Sequence, residues 1–288
     1  MAEKKLTALL DIIKYSANLL QENGIKDARL NVELMFCEIL DCDRMKLYLD
    51  FDKPLKPDEI SVFKQMLKRR MQKEPLQYIL GKTNFYGYDI KLNDKVLIPR
   101  QETEILVDII LNDICGTPKE FVNILEIGSG SGCIAIALSK ELTKKNIKHK
   151  ILSVDISVDA VTLSKKNAEL NGIISDNIEF KVNDFLQNNS LPDYDYIISN
   201  PPYIPINDIN LLDEEVKLFE PLNALTDGSD GLIFYRKIFN LFYGKAKIFL
   251  EIGDNRKEYI EVELRKNNIK DYNFYKDYCN IERVLTIN

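Results

Sequence analysis

Histidine is nearly missing from this chain: His149 is the one example in 288 residues. That scarcity argues against Ser-His-Asp and Cys-His catalysis, which need an imidazole beside the nucleophile. His149 itself reads as part of a Lys/Asn-rich connector, residues 144–150, between a helix and a strand. Cysteine is sparse and odd in number: Cys37, Cys42, Cys115, Cys133 and Cys279, with no C-x-x-C pair. Neither a zinc site nor a disulfide framework is expected, and the five read as reduced thiols of a cytosolic protein. Cys133, at a helix start, is read as packing beneath a glycine loop rather than as a thiol of lowered pKa. Long apolar runs are also absent. No stretch approaches the ~20 residues needed to cross a bilayer, and no signal-peptide pattern opens the chain, so a cytoplasmic location is expected. An excess of positive charge is lacking too. A net charge of −6 leaves no global field for a nucleic acid backbone. The clearest basic run, Lys68-Arg69-Arg70 with Lys73, reads as the solvated face of a helix. There is no internal repeat or low-complexity tract.

The remaining composition is that of a globular protein, 45% hydrophobic and 29% charged, in a chain long enough for one large and one small domain. Residues 1–73 read as helices. Leu6, Leu9, Leu10, Ile13, Ala17 and Leu20 recur at helical spacing, and a second helix carries Leu30, Leu34, Phe36 and Leu40. A third, from Pro57, opens with proline and two acids. Residues 74–98 read as a β-hairpin connector, rich in strand formers around Asn84-Phe85-Tyr86-Gly87-Tyr88. From residue 99 to 288 strands and helices alternate, which argues for a parallel sheet covered on both faces. Strands are predicted near 123–127, 150–155, 178–182, 194–199, 246–252, 272–276 and 282–287. Residues 204–228 form a long polar connector of the kind that often serves as a lid.

Four segments at successive strand ends carry the chemistry. Asn200-Pro201-Pro202-Tyr203 follows a buried strand, at the carboxyl end where open α/β sheets bind ligands. The prolines fix φ and donate no hydrogen bonds. The Asn200 oxygen and the Pro201 carbonyl can then accept both hydrogens of one NH2 group, with Tyr203 as a flat face. Upstream, Glu126-Ile127-Gly128-Ser129-Gly130-Ser131-Gly132 is a glycine loop between a strand and a helix, suited to close approach by an anionic group. Its G-x-G-x-G spacing alone does not decide between a nicotinamide cofactor and S-adenosylmethionine. Asp155 ends the next strand, where a carboxylate can take two ribose hydroxyls. After the third strand, Asp184 can accept from an adenine amino group and Phe185 can pack on its ring. The competing reading of Asp155 and Asp184 is helix N-capping.

Taken in order, this set resembles a Rossmann-like class I S-adenosylmethionine-dependent methyltransferase. Further segments narrow the likeness: Pro75-Leu76-Gln77-Tyr78-Ile79-Leu80-Gly81, Asn84-Phe85-Tyr86-Gly87, Pro99-Arg100-Gln101-Glu102-Thr103-Glu104, Glu220-Pro221-Leu222-Asn223-Ala224-Leu225 and Asp230-Gly231-Leu232. Over nearly its whole length the chain is similar to the peptide chain release factor glutamine N5-methyltransferase family. That resemblance implies a seven-stranded sheet whose last strand inserts antiparallel, a small N-terminal helical domain that docks substrate, and S-adenosyl-L-homocysteine as product with no metal. It implies class 1 release factors as partners, methylated on the glutamine of a Gly-Gly-Gln loop. It further suggests that Arg100, Glu102 and Thr103 line the entrance; a capping and salt-bridge cluster at a helix start is the competing reading. A monomer without stable nucleic-acid or membrane binding is expected. Four rival functions have specific counterarguments. An N6-adenine or N4-cytosine nucleic-acid methyltransferase can use the same Asn-Pro-Pro-Tyr grip, but 85 residues after Tyr203 leave little room for a target-reading domain. A nicotinamide dehydrogenase is disfavoured by the glycine spacing, and a non-catalytic adaptor by the intact motif set. A ribosomal-protein glutamine methyltransferase shares the grip but differs at the Pro-Arg-x-Glu-Thr-Glu segment.

Overall fold

A computed structural model describes residues 8–117, 119–173, 177–188 and 192–288. The chain divides into two units. One holds the residues up to Gly81 together with Asp213–Phe219; the other holds Lys82–Leu212 and Glu220–Asn288.

The first unit is a helical bundle: α1 (Leu9–Glu22), α2 (Ala28–Leu40), α3 (Arg44–Leu49), α4 (Pro57–Met71) and α5 (Leu76–Leu80). Ile13, Leu20, Val32, Met35, Phe36 and Leu47 are wholly buried in its core, where Phe36 stacks on Phe63 with ring centroids 4.2 Å apart. Leu6, expected on the first helix, lies outside the described residues. The buried stripe of α2 runs through Val32 and Met35, and Leu30 is exposed. The basic run on α4 is not a solvated face throughout. Arg70 is buried, with Nε donating to Asn31 Oδ1 at 2.7 Å and Nη1 to the Glu74 carbonyl at 2.9 Å. Its Nη2 donates to Glu215 Oε1 at 2.7 Å, which holds the returning segment in this unit. A buried guanidinium survives because every edge has an acceptor. The helical part extends past residue 73, since Leu76 and Ile79 of α5 join its core and Gly81, at φ +70°, ends the helix.

The second unit begins with a short hairpin, β1 (Lys82–Phe85) and β2 (Tyr88–Lys91), narrower than the 74–98 expected. Its turn residues Tyr86 and Gly87 both have positive φ, as a two-residue hairpin turn prefers. Tyr86 is held there by α6 (Glu102–Gly116): its N–H donates to Glu104 Oε1 at 2.7 Å and its hydroxyl to Asp108 Oδ1 at 2.6 Å. The chain then runs through β3 (Phe121–Ile127), α7 (Cys133–Lys144), β4 (Lys148–Asp155), α8 (Val158–Leu170), β5 (Ile178–Val182) and β6 (Tyr196–Ser199). Residues 204–228 are not a bare connector. They contain a 3-10 turn, Ile206–Leu211, and two short helices, α9 (Glu214–Phe219) and α10 (Leu222–Leu225). The unit closes with α11 (Ile233–Phe242), β7 (Lys247–Glu251), α12 (Lys257–Lys266), β8 (Tyr272–Lys276) and β9 (Glu282–Ile287).

The seven strands lie in the order β5-β4-β3-β6-β7-β9-β8, with β9 antiparallel between β7 and β8. This is the Rossmann-like fold of class I methyltransferases. Central β6 is buried along its whole length, which explains its unbroken apolar run. Leu125, Ile127, Ile197, Leu250, Leu285 and Ile287 form one core with α11 and α12. His149 is corrected from loop to strand: it sits buried in β4, its Nε2 2.9 Å from Ser139 Oγ and its Nδ1 2.9 Å from the Ile147 carbonyl. Burial lowers its pKa, which keeps the ring neutral.

Candidate active site

The carboxyl ends of β3, β4, β5 and β6 converge on one cavity. One wall is the glycine loop. Gly128 and Ser129 both donate backbone N–H to the Val154 carbonyl, at 2.8 and 3.0 Å, which ties the loop to β4. Gly128 has φ +87°, and Gly132, at φ +83°, would put a Cβ 3.0 Å from that of Ser164. Only glycine fits both demands at 132. From α8, Ser164 Oγ donates to the Gly130 carbonyl at 3.0 Å and the buried Asn167 Nδ2 to that of Ser131 at 2.9 Å. Asn167 also exchanges bonds with Lys91 at the end of β2, so one amide holds loop and hairpin together.

Gly128, Ser129, Gly130 and Ser131 line the cavity, and the buried Ser129 hydroxyl has no hydrogen-bond partner among the described residues. Glu126 does not line it. It lies beneath the loop, 1% exposed, with Ser153 Oγ donating to its Oε2 and its Oε1 unpartnered among the described residues. Burial pushes this carboxyl up to about 8, with the charge of Asp155 adding to the rise. Gly132 likewise supports the loop without facing the cavity. Cys133, at the start of α7, is buried but borders the cavity, and burial pushes its thiol up to about 12.

Asp155 faces the cavity with both oxygens oriented: Gly130 N–H donates to Oδ2 and Ser157 N–H to Oδ1, each at 2.9 Å. Lone pairs remain for two further donors. Asp184 and Phe185 line the opposite side. The Leu186 N–H donates to Asp184 Oδ1 at 2.9 Å, and Phe185 lies nearly parallel to Phe234, centroids 6.2 Å apart.

Asn200, Pro201 and Pro202 form the third side. Ser199 Oγ donates to the Ile127 carbonyl at 2.6 Å, locking the end of β6 to that of β3. Behind the turn, Gly231 at φ +76° leaves no room for a side chain, because a Cβ would fall 2.2 Å from the Tyr203 carbonyl oxygen. The Asp227 carboxylate, accepting from the N–H groups of Ser229, Gly231 and Ile233, shapes that approach. Tyr203 requires a correction. Its ring is not on the cavity wall but packs on Gly253, and its hydroxyl points to Glu251 Oε1 at 3.4 Å. The core of α11 and β7 captures the ring on that side.

Arg100 and Thr103 reach the cavity, whereas Glu102 is exposed in the first turn of α6. Arg100 Nη2 pairs with the buried Glu220, which also accepts from Ile98 N–H at 3.3 Å. Thr103 donates to Glu251 at 2.6 Å. Sequence reasoning assigned no role to Glu251, Asn167, Asn223 or Phe234. Two carried a signal: Asn223 lies in the Glu220–Leu225 segment, and Glu251 is an acid in an apolar strand followed by glycine, as at Glu126.

A glycine loop at the first strand end, a carboxylate at the second, and an Asn-Pro-Pro turn at the fourth define a class I methyltransferase. The comparisons with known proteins agree. Residues 11–81 match the PrmC N-terminal domain model and residues 101–212 the methyltransferase small domain model. The release factor glutamine methyltransferase of Geobacter sulfurreducens is 39% identical over 83% of this chain and 80% of its own. That of Fusobacterium nucleatum is 38% identical over 96% and 77%, and that of Bacillus subtilis 34% over 86% of each. The chain belongs to the release factor glutamine methyltransferase family.

Proposed function

We propose that this protein methylates the side-chain nitrogen (N5) of the glutamine in the Gly-Gly-Gln loop of class 1 peptide chain release factors, in the cytoplasm, with S-adenosylmethionine as donor. The observation that carries the reading is the Asn200-Pro201-Pro202 turn facing the same cavity as the glycine loop and Asp155. The residues fit the donor. Asp155 retains acceptor capacity for ribose hydroxyls, Asp184 and Phe185 suit an adenine edge and face, and the unpartnered Ser129 hydroxyl waits beside the loop. When bound, the donor supplies an electrophilic methyl carbon: the amide nitrogen forms the N–C bond as the S–C bond breaks, and the nitrogen's proton leaves afterwards.

An amide nitrogen is a poor nucleophile because its lone pair is delocalised, so alignment is the main thing a protein can add. Asn200 Oδ1 and the Pro201 carbonyl accept the two N–H groups, fix the amide's rotation and favour positive charge growing on nitrogen. No strong general base is needed, which suits a chain whose lone histidine is sequestered in β4. Pro202 stiffens the grip, and Tyr203 braces it from behind instead of stacking on substrate. The helical unit offers the surface on which the release factor docks.

The test is incubation with labelled S-adenosylmethionine and either a release factor or duplex DNA, followed by mass spectrometry of tryptic peptides. A 14 Da gain on the Gly-Gly-Gln peptide is expected. Label on DNA alone overturns the reading.

A further inference from the structure

Glu251 stands behind the cavity wall, yet its carboxylate is connected to the side chain that does the gripping. It ends β7 and is 2% exposed. Oε2 accepts from Thr103 Oγ1 at 2.6 Å, and Oε1 faces the Tyr203 hydroxyl at 3.4 Å. Thr103 Oγ1 in turn receives Asn200 Nδ2 at 3.4 Å, a long contact. Tyr235 Oη donates to the Glu251 backbone carbonyl at 2.7 Å and fixes the strand end.

A hydroxyl has one proton. Thr103 gives its proton to the carboxylate, so it presents only lone pairs toward Asn200. The Asn200 group beside it must then be the NH2, and Oδ1 is left to the cavity. With the amide flipped, two NH2 groups would face each other and the substrate nitrogen would keep only the Pro201 carbonyl as acceptor. The two flips are nearly equal in shape, so a polar neighbour has to choose between them. We propose that Glu251 is a positioning residue for methyl transfer, acting through Thr103 to hold the Asn200 amide in the flip that presents its oxygen to the substrate. This rests on the role of Asn200 under the function proposed above.

The surroundings make the device sensitive to pH. Thr103 and Glu102 of α6, Tyr203, Tyr235 of α11, Arg283 of β9 and Cys133 of α7 bear on the carboxyl. Burial pushes it up to about 7, against the opposing pull of Thr103 and Arg283. Below that pH the protonated acid becomes a donor. Thr103 can then accept from it and turn its own proton to Asn200, which removes the preference for one flip.

The experiment measures single-turnover rates with a release factor between pH 5.5 and 9, alongside S-adenosylhomocysteine affinity by calorimetry. Glu251→Gln and Thr103→Val are each expected to slow transfer about tenfold or more at pH 8, with affinity for S-adenosylhomocysteine retained. The wild-type fall in rate below about pH 7 should vanish in Glu251→Gln. Thr103→Ser, which keeps the hydroxyl, should recover most of the rate that Thr103→Val loses. In an Asn200→Ala background neither change should cost anything further. Unchanged rates and an unchanged acidic limb in Glu251→Gln, with Asn200→Ala strongly impaired, sink this inference alone. A normal rate in Asn200→Ala sinks the functional reading beneath it. Retained calorimetric binding excludes misfolding as the cause, and failure of Thr103→Ser to recover rate also counts against the relay.

Discussion

The tetrapeptide Leu-Glu-Ile-Gly occurs twice, at residues 125–128 and 250–253, each time at the carboxyl end of a central strand. Strand β6 lies between the two copies. Its register aligns Glu126 with Ile198 and Ile198 with Phe249, which puts Glu251 on the same sheet face, one pleat nearer the cavity. Both acids are buried and both hold protons unusually well, at about 8 and about 7. Their company differs. Glu126 lies under a glycine loop, with one serine as partner and one oxygen left over among the described residues. Glu251 faces two hydroxyls, one of which leads to Asn200. The following glycines differ as well: Gly128 takes a left-handed φ for the loop, while Gly253 leaves space for the Tyr203 ring. Under the function proposed above, identical local sequence serves donor binding at one strand end and acceptor gripping at the other. The neighbours one strand and one helix away assign the role.

The sharpest way to break that division is to remove the group at each end. Asn200→Ala is expected to cut the transfer rate by about 10²–10³, as loss of one preorganised polar partner does elsewhere. S-adenosylhomocysteine affinity should hardly move. Asp155→Ala should do the reverse, weakening affinity by ~1.5–3 kcal/mol for each charge-assisted bond lost, with a smaller loss of rate at saturation. Calorimetry and single-turnover kinetics on both variants check the pair, and equal effects on rate and affinity in both would erase the distinction.

Much of this site could be read from sequence because it sits where strands end. The apolar runs, the glycines and the Asn-Pro-Pro turn are local features, and local features fix strands, loops and turns. What stayed hidden was the direction of side chains. Glu126 and Gly132 were assigned to donor contact, yet one lies beneath the loop and the other abuts Ser164. Tyr203 belongs to the grip by sequence but turns inward, because Gly253, 50 residues downstream, makes room for it. Arg70 looked like surface charge until Asn31 and Glu215, from distant parts of the chain, supplied its acceptors. His149 sat in a polar stretch whose alternate residues point into the sheet. All but His149 depend on a partner far away in sequence, which spacing and composition do not report.

The two glycines allow a finer comparison. Gly253→Ala would bring a Cβ within 2.6 Å of Tyr203 Cδ2, so the ring must shift. Overpacking of this kind costs ~1–3 kcal/mol of stability, and the transfer rate should fall while donor affinity holds. Gly128→Ala meets nothing closer than 3.8 Å, but its φ of +87° is strained for an L-residue, at roughly 1–2 kcal/mol. Here donor affinity should fall first. Urea midpoints, rates and affinities measured together on both variants test whether the losses separate as the two strand ends do.

The last comparison concerns stability against pH. In the unfolded chain Glu126 titrates near ~4.3; in the folded chain it holds its proton up to about 8. Between those values unfolding releases a proton, so the folded state loses ground as pH rises through the window. Glu126→Gln, always neutral, should resemble wild type near pH 4.5 and become progressively more stable than it toward pH 9. Glu251→Gln should show the same trend, complete by a lower pH because that carboxyl titrates at about 7. The two variants then part company in function: Glu251→Gln loses rate, while Glu126→Gln keeps the rate once the donor is saturating. Urea unfolding at pH 5, 7 and 9 checks the first half. A gap between wild type and Glu126→Gln that stays constant with pH would mean that the carboxyl beneath the loop is ionised in the folded protein.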